Sequence, residues 1–310
     1  MANKIVVLGS YVADVAFRAS RLPAWGETLL GSGFALGPGG KGSNQAVAAA
    51  RAGAAVQMLS RLGDDAFGHL ARQTWASAGV DASLVSTASA PTGAAAILID
   101  EARGENAIIV VPGACFTLSP QDVEAAGAAI RSASLLLTQL ELPLSTVERG
   151  LRLAREAGVR TILNPAPAQP LSDAVLELAD LLIPNESEAA LLTGLPVENR
   201  DQAEAAARAL QRRGARCVIV TLGAQGALVC DGSGAAVLVD AFHAGAVVET
   251  TGAGDAFCGG FAAALSEGAS VLEAARFGCA TAAISVTRAG TAPSMPAREE
   301  IEALLSGSPG

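Results

Sequence analysis

Four short stretches bring together residue types that could do chemistry on a phosphate or a polyol. In TTGAGDAF at 250–257, small residues run directly into a segment, 254–266, that reads as a helix closing at Gly268. Such a start leaves backbone N–H groups of Gly252, Ala253 and Gly254 without helical partners, an anion hole for charge developing on a transferring phosphoryl group. Asp255 falls in the first turn, where a carboxylate is favoured in its ionised form, and there it fits a general base for an alcohol nucleophile. The plainer role for an aspartate at that place is a helix cap. In GPGGKGSNQA at 37–46 a glycine-rich loop opens a helix, with Lys41 and Asn44 as donors at its mouth. It reads equally as an ordinary helix entry carrying a solvated lysine. Gly37, Gly39 and Gly42 match G-x-G-x-x-G, but the nearest strand ends far upstream at Gly9 and Pro38 sits inside the turn. A Walker loop fails as well, because position 35 is Ala and Lys41 is followed by Gly42.

The third stretch, PNESE at 184–188, places Asn185 and Glu188 three apart on one helical face. Oxygen ligands at that spacing suit Mg²⁺ held partly through water, and the same pattern is a capping box. The fourth, TLGAQG at 221–226, follows an apolar strand; it could wrap part of a nucleotide or simply turn one strand into the next.

Elements must position these residues. Ile5 to Gly9 is a continuous apolar run ended by glycine, as for a strand buried on both faces. Alanine-rich 43–51 favours helix, with Gly53 closing it. Between 10 and 40, prolines and glycines with alternating pieces such as 28–34 predict small strands and loops. Strand-like pieces recur at 55–60, 94–99 and 106–111, the last two joined by a hairpin over 100–105. From Ser134 strands alternate with helical stretches at 143–157, 172–179, 186–193 and 201–213, and Gly158, Gly194 and Gly214 stand where helices end. This order predicts one α/β domain over 1–310, a doubly wound, mostly parallel sheet flanked by helices. A β-sheet lid made from about 12–38 and 92–112 is expected over its C-terminal edge. The tail at 306–310 reads as frayed.

Composition removes other classes. With 30 acidic against 21 basic residues, a nucleic-acid partner lacks its basic face. The five cysteines form no C-x-x-C pair and there are two histidines, so no zinc site can be written. No leader pattern and no apolar run of membrane-spanning length is present, and the chain is expected to be soluble and cytoplasmic with reduced thiols.

Taken together, these residues resemble the ribokinase (PfkB-type) family of ATP-dependent sugar kinases. The likeness runs from VVLGS at 6–10 to TRAGTAPSMP at 287–296, through RLGDDAFG at 61–68, QLELP at 139–143, LNPAPA at 163–168 and PNESEAALLTG at 184–194. It implies transfer of the ATP γ-phosphoryl group to the 5-hydroxyl of D-ribose, with Asp255 as base and Gly252, Ala253 and Gly254 as anion hole. It also implies that Asp14, Gly40, Lys41, Asn44 and Glu141 hold the sugar. Asn185 and Glu188 would serve the Mg²⁺–phosphate region, and Thr221, Gly223, Gly226 and Gly254 the nucleotide, with Cys279 near the adenine. A monovalent cation, usually K⁺, would take carbonyls near Thr251, Ser285, Arg288 and Gly290 and the Ser294 side chain. A homodimer through the lid is implied too.

Three residues depart from the family pattern: Val12 replaces an asparagine that contacts the sugar, Glu249 replaces an aspartate near the cation, and Cys279 stands at a polar or aromatic adenine contact. A sugar hydroxyl buried against Val12 without a partner would cost about 1–3 kcal/mol, which raises 2-deoxyribose as substrate. Fructose or a nucleoside is the further alternative, and a sugar sensor that has lost catalysis is the alternative of another class. Intact Asp255, Gly252 to Gly254 and Lys41 speak against the sensor.

Overall fold

Strand β1 (Lys4–Leu8) sends Ile5 and Val7 into one hydrophobic cluster and Val6 and Leu8 into the other, so helices cover it on both sides. The computed structural model describes residues 4–232 and 234–307; the end of the expected frayed tail, 308–310, lies outside them. The strands that follow are β2 (Val12–Ala19), β3 (Gly33–Gly39), β4 (Ala55–Gly63), β5 (Asp81–Ala88), β6 (Thr92–Asp100) and β7 (Glu105–Gly113). Then come β8 (Leu135–Thr138), β9 (Arg160–Leu163), β10 (Leu181–Leu182), β11 (Cys217–Thr221), β12 (Ala227–Cys230) and β13 (Val237–Val239). Nine of them form one sheet in the order β13-β12-β11-β10-β9-β8-β1-β4-β5. It is parallel from β5 to β11 and antiparallel at the β12 and β13 edge. The chain leaves β1 toward β4 and later returns on the other side at β8, so the strand order reverses at β1. Ligands of such sheets sit at the carboxyl ends of the strands flanking that switch. No helix among the described residues is long and apolar enough to cross a membrane.

The expected lid is a separate four-stranded sheet, β3-β2-β6-β7, in which β2 and β6 are parallel and the outer pairs antiparallel. The alternating piece at 28–34 is strand only from Gly33, which pairs with Arg18 near the end of β2; upstream residues have no facing strand. Gly37, Pro38 and Gly39, expected as loop, close β3, an edge strand on which proline's missing N–H is harmless. That leaves the dinucleotide pattern without its turn. Gly40 alone makes the corner, with φ 85° and the Tyr11 and Val12 backbone so near that a Cβ would collide. The expected helix over 172–179 is one turn, Asp173–Leu176, prolonged by tighter bonds from Leu178 N–H to Val175 O and from Ala179 N–H to Leu176 O.

Helix Ala253–Ser266 lies directly on helix Lys41–Arg51. At Gly259 a Cβ would stand 2.4 Å from Ala48 Cβ, 2.7 Å from Gln45 O and 2.8 Å from Ala49 N, so the backbones approach as closely as glycine permits. Gly259→Ala is therefore expected to lower unfolding free energy by about 1–3 kcal/mol in urea titrations, as overpacking does. Adding Ala48→Gly should restore only part of the loss, because the Gln45 and Ala49 backbone atoms remain in the way. Full restoration would show that side-chain crowding alone sets the spacing.

Candidate active site

That close approach brings Asp255 beneath the first turn of helix Lys41–Arg51. Asp255 is 6 % exposed, and its helix is capped by Gly252 with no capping side chain, so the carboxylate is not a helix cap. Asn44 Nδ2 donates to its Oδ2 at 3.0 Å and Gln45 Nε2 donates to its Oδ1 at 2.9 Å. Gly252, Gly254 and Asp255 line a cleft of about 150 Å³ together with Lys41, Asn185, Glu188 and Thr221. The Ala253 N–H donates to Thr250 O at 3.2 Å, whereas Gly254 and Asp255 N–H, in the first helical turn, have no carbonyl four residues back inside the helix. The expected hole therefore centres on Gly254, with Ala253 already engaged.

Lys41 sits at the mouth of this cleft with no ion pair within 4 Å among the described residues. Burial pushes its ammonium down, but the charges of Asp255, Glu141 and Glu188 outweigh that and hold it above its usual range. Its backbone N–H donates to Glu141 Oε2 at 2.8 Å, and Ser10 Oγ donates to the same oxygen. Asp14, on β2, has its carboxylate against Gly39, and no hydrogen bond reaches it from the described residues. Burial first, then the negative charges of Glu141, Asp255 and Glu249, push its carboxyl up to about 6. Asn44 Oδ1 is buried and unpartnered. Unspent acceptors on Asp14 and Asn44 beside Glu141 form a surface that wants hydroxyl donors. Val12 shares the Asp14 face of β2 and is buried.

Asn185 and Glu188 do form a capping box: Glu188 N–H donates to Asn185 Oδ1 at 2.8 Å, and Asn185 N–H and Nδ2 donate to the two Glu188 oxygens. They also face the cleft, so the cap and the site are the same residues. Thr221 ends β11 and lines the cleft; Gly223 and Gly226 make the turn into β12. Cys279 is buried, 3.9 Å from Val239 O, with its thiol pushed up to about 12 by burial, and packs in the core. Glu249 Oε2 accepts from Gly290 N–H at 2.8 Å, and Val248 and Glu249 N–H donate to Val286 O, which lays 248–252 along 285–291. Ser285 and Ser294 are buried there, with hydroxyls donating to Ala282 O and Thr291 O; the Arg288 side chain turns away to Glu300. Among the described residues no group of three or more His, Cys, Asp or Glu is arranged to hold a metal.

The model of the pfkB family carbohydrate kinases matches residues 2–298. The chain belongs to that family. It is a sugar kinase, a phosphotransferase. A ribokinase of Haemophilus influenzae is 43% identical over 300 residues, covering 97% of either chain. A deoxyribokinase of Salmonella typhi is 37% identical, covering 97% of this chain and 98% of its own. Among solved structures, Arabidopsis thaliana ribokinase complexed with ribose and ATP superimposes with TM-score 0.92 at 35% identity, over 98% of this chain and 99% of that one.

Sequence reasoning assigned no role to Ser10, Gln45, Gln139, Asn164 or Ile183, although SNQA, QLELP and LNPAPA were visible as stretches. Asp14 offers a test of the site's electrostatics. Burial and the neighbouring carboxylates push its carboxyl from the ordinary 3.8 up to about 6. The ligand-free kinase therefore loses stability as pH rises from about 4 through about 6 and carries the full penalty above that. Asp14→Asn is expected to raise unfolding free energy at pH 8 by about 1–2 kcal/mol and to converge on the parent chain near pH 4. An asparagine variant no more stable than the parent at pH 8 would refute the unfavourable carboxylate.

Proposed function

We propose that this kinase transfers the γ-phosphoryl group of ATP to the 5-hydroxyl of D-ribose, with Asp255 as general base. The observation that carries the reading is the Asp255 carboxylate, held by two amide donors at the rim of a helix N-terminus in the Lys41 cleft. Asp14, Glu141 and Asn44 accept from and orient the sugar hydroxyls, with Gly40 and Lys41 beside them. Asp255 takes the proton of the attacking hydroxyl, and the Gly254 N–H and Lys41 ammonium meet the charge that spreads over the transferring group. Asn185, Thr221, Gly223 and Gly226 border the nucleotide, and Cys279 packs behind it. The lid keeps water from Asp255.

Two ions fit the residues. The atoms Asn185 and Glu188 could offer a cation are oxygens already engaged in their capping box, so they suit a Mg²⁺ that would keep its waters and arrive on the phosphates. When bound it neutralises phosphate charge. Carbonyls of Thr251, Ser285, Arg288 and Gly290 with the Ser294 hydroxyl suit a K⁺, and Glu249, although longer than the usual aspartate, holds the Gly290 segment that would enclose it.

One observation favours a second sugar. Val12, apolar and buried on the face that carries Asp14, supports 2-deoxyribose as an alternative substrate. Asp255→Ala is expected to lower kcat by about 10²–10⁴ while Mg-ATP binding by calorimetry stays within a few-fold; near-normal kcat would remove the base. Ribose should show the higher kcat/KM by a margin below about 10-fold, and Val12→Asn should widen that margin by about 5-fold or more. A 2-deoxyribose preference of about 10-fold would replace ribose as the substrate.

The lid also supports pairing with a second copy of this chain. Val15, Phe17, Phe34, Leu36 and Ile109 lie on its face opposite Asp14, and Phe34 and Ile109 are 63% and 66% exposed. Light scattering after size exclusion should give twice the chain mass, and Ile109→Arg should give the single-chain mass. A monomeric parent chain would refute the pairing.

A further inference from the structure

A line of side-chain amides runs along the carboxyl ends of three adjacent strands to the Asp255 carboxylate. Gln139 follows β8, Asn164 follows β9 and Ile183 follows β10; Gln45 reaches them from the helix Lys41–Arg51 above. Gln139 Nε2 donates to Gln45 Oε1 at 2.6 Å, Gln45 Nε2 donates to Asn164 Oδ1 at 3.0 Å, and Asn164 Nδ2 donates to Ile183 O at 2.8 Å. The second N–H of Gln45 donates to Asp255 Oδ1 at 2.9 Å. Gln45 and Gln139 are 0% and 1% exposed, so water does not compete for these groups.

We infer that Gln45 is a positioning residue for the phosphoryl-transfer step: a one-way amide relay anchored on the Ile183 carbonyl forces it to present only N–H to Asp255. The reading rests on Asp255 as the base. A main-chain carbonyl can only accept, so Asn164 must turn its NH₂ to Ile183 and its oxygen to Gln45. Gln45 must then turn its own NH₂ toward Asn164, which leaves the other N–H for Asp255 and its oxygen for Gln139. An ionised carboxylate, which only accepts, demands the same orientation from the opposite end. Two independent constraints thus fix one amide, and all three of its groups are allotted. The consequence is chemical. Each oxygen accepts one amide N–H, Oδ1 from the interior Gln45 and Oδ2 from the sugar-side Asn44, so the relay turns Oδ2 toward the sugar side as the oxygen that receives the proton. Losing the donor leaves the carboxylate held by Asn44 at one oxygen only, while the groups that hold sugar and nucleotide are untouched.

The test is steady-state kinetics with Mg-ATP and ribose on Gln45→Met and Gln45→Glu, with ATP affinity by calorimetry. Gln45→Met is expected to lower kcat about 10- to 100-fold, with the sugar KM and ATP affinity within about 3-fold. Gln45→Glu keeps the shape of glutamine but sets an acceptor against Asp255, and its kcat is expected to fall below that of the methionine variant. A packing role predicts the reverse order, and kcat of the glutamate variant at or above the methionine variant would overturn the proposal. So would losses confined to KM. Should both variants lose their folded near-ultraviolet spectrum, Gln139→Met decides, since it contacts neither Asp255 nor the cleft. A kcat loss of about 3-fold or more at unchanged KM supports the relay, and unchanged kcat overturns it. Failure of the base reading is separate, because it would appear as near-normal kcat in Asp255→Ala.

Discussion

Backbone contact between two helices sets the geometry on which this kinase site depends. Gly259 meets the Gln45 carbonyl and Ala48 at distances no side chain allows. Because one helix carries Asp255 and the other carries Lys41, Asn44 and Gln45, the packing distance fixes how far the carboxylate stands from its donors. Ala48 and Ala49 meet Gly259, and the two helices are rich in small buried residues, Ala46 on one and Ala256, Ala262 and Ala263 on the other. An alanine-rich seam buries little area per residue, yet it holds backbones rigidly together, and a site that must keep hydrogen bonds near 3 Å gains more from rigidity than from area.

The charges around that seam are arranged for what is to be bound, at the expense of the empty state. Asp255, Glu141 and Glu188 surround Lys41, and Asp14 adds its carboxyl beside Glu141 and Asp255, so acidic groups outnumber basic ones there before substrates arrive. Burial and like charge raise Asp14, and no donor among the described residues relieves it. Hydroxyl donors from a polyol would relieve it, and phosphates would take up the Lys41 charge together with the Gly254 N–H. This explains how a chain of net charge −9 can serve an anionic nucleotide. The favourable potential is local, made by one lysine and a helix N-terminus.

Much of this was legible in the chain itself, because its signals are local. Glycine runs before helices, the capping box at Asn185 and Glu188, and the strand alternation from Ser134 each involve neighbours in sequence, and each appears in the structure. Gly37 to Gly39 misled as a loop because the edge position of β3, which makes Pro38 tolerable, is a property of the sheet and not of the segment. The relay was illegible for the same reason. Gln45 to Gln139 spans 94 positions and Gln45 to Asp255 spans 210, and a glutamine at the end of an apolar strand looks like any polar residue that stops one. Only the strand order, which sets β8, β9 and β10 side by side, turns three scattered amides into a line.

The two halves of the site differ in what holds them. Asp255, Gly254, Lys41 and the amide relay stand on helices and strand ends packed in the main core, while Asp14 and Val12 stand on β2, in the lid sheet. On the proposed reading, groups that move a proton and meet developing charge would have to keep their geometry through the reaction, and they stand in the packed core. Groups that recognise the sugar can ride on a sheet joined to the core through β2, β3 and β6. In the proposed reaction, recognition by Asp14 would bring the lid into register with Glu141 and Asn44, which the core holds. On the proposed reading, the binding energy of the sugar's hydroxyls would go into closing the site over a base that is already in place.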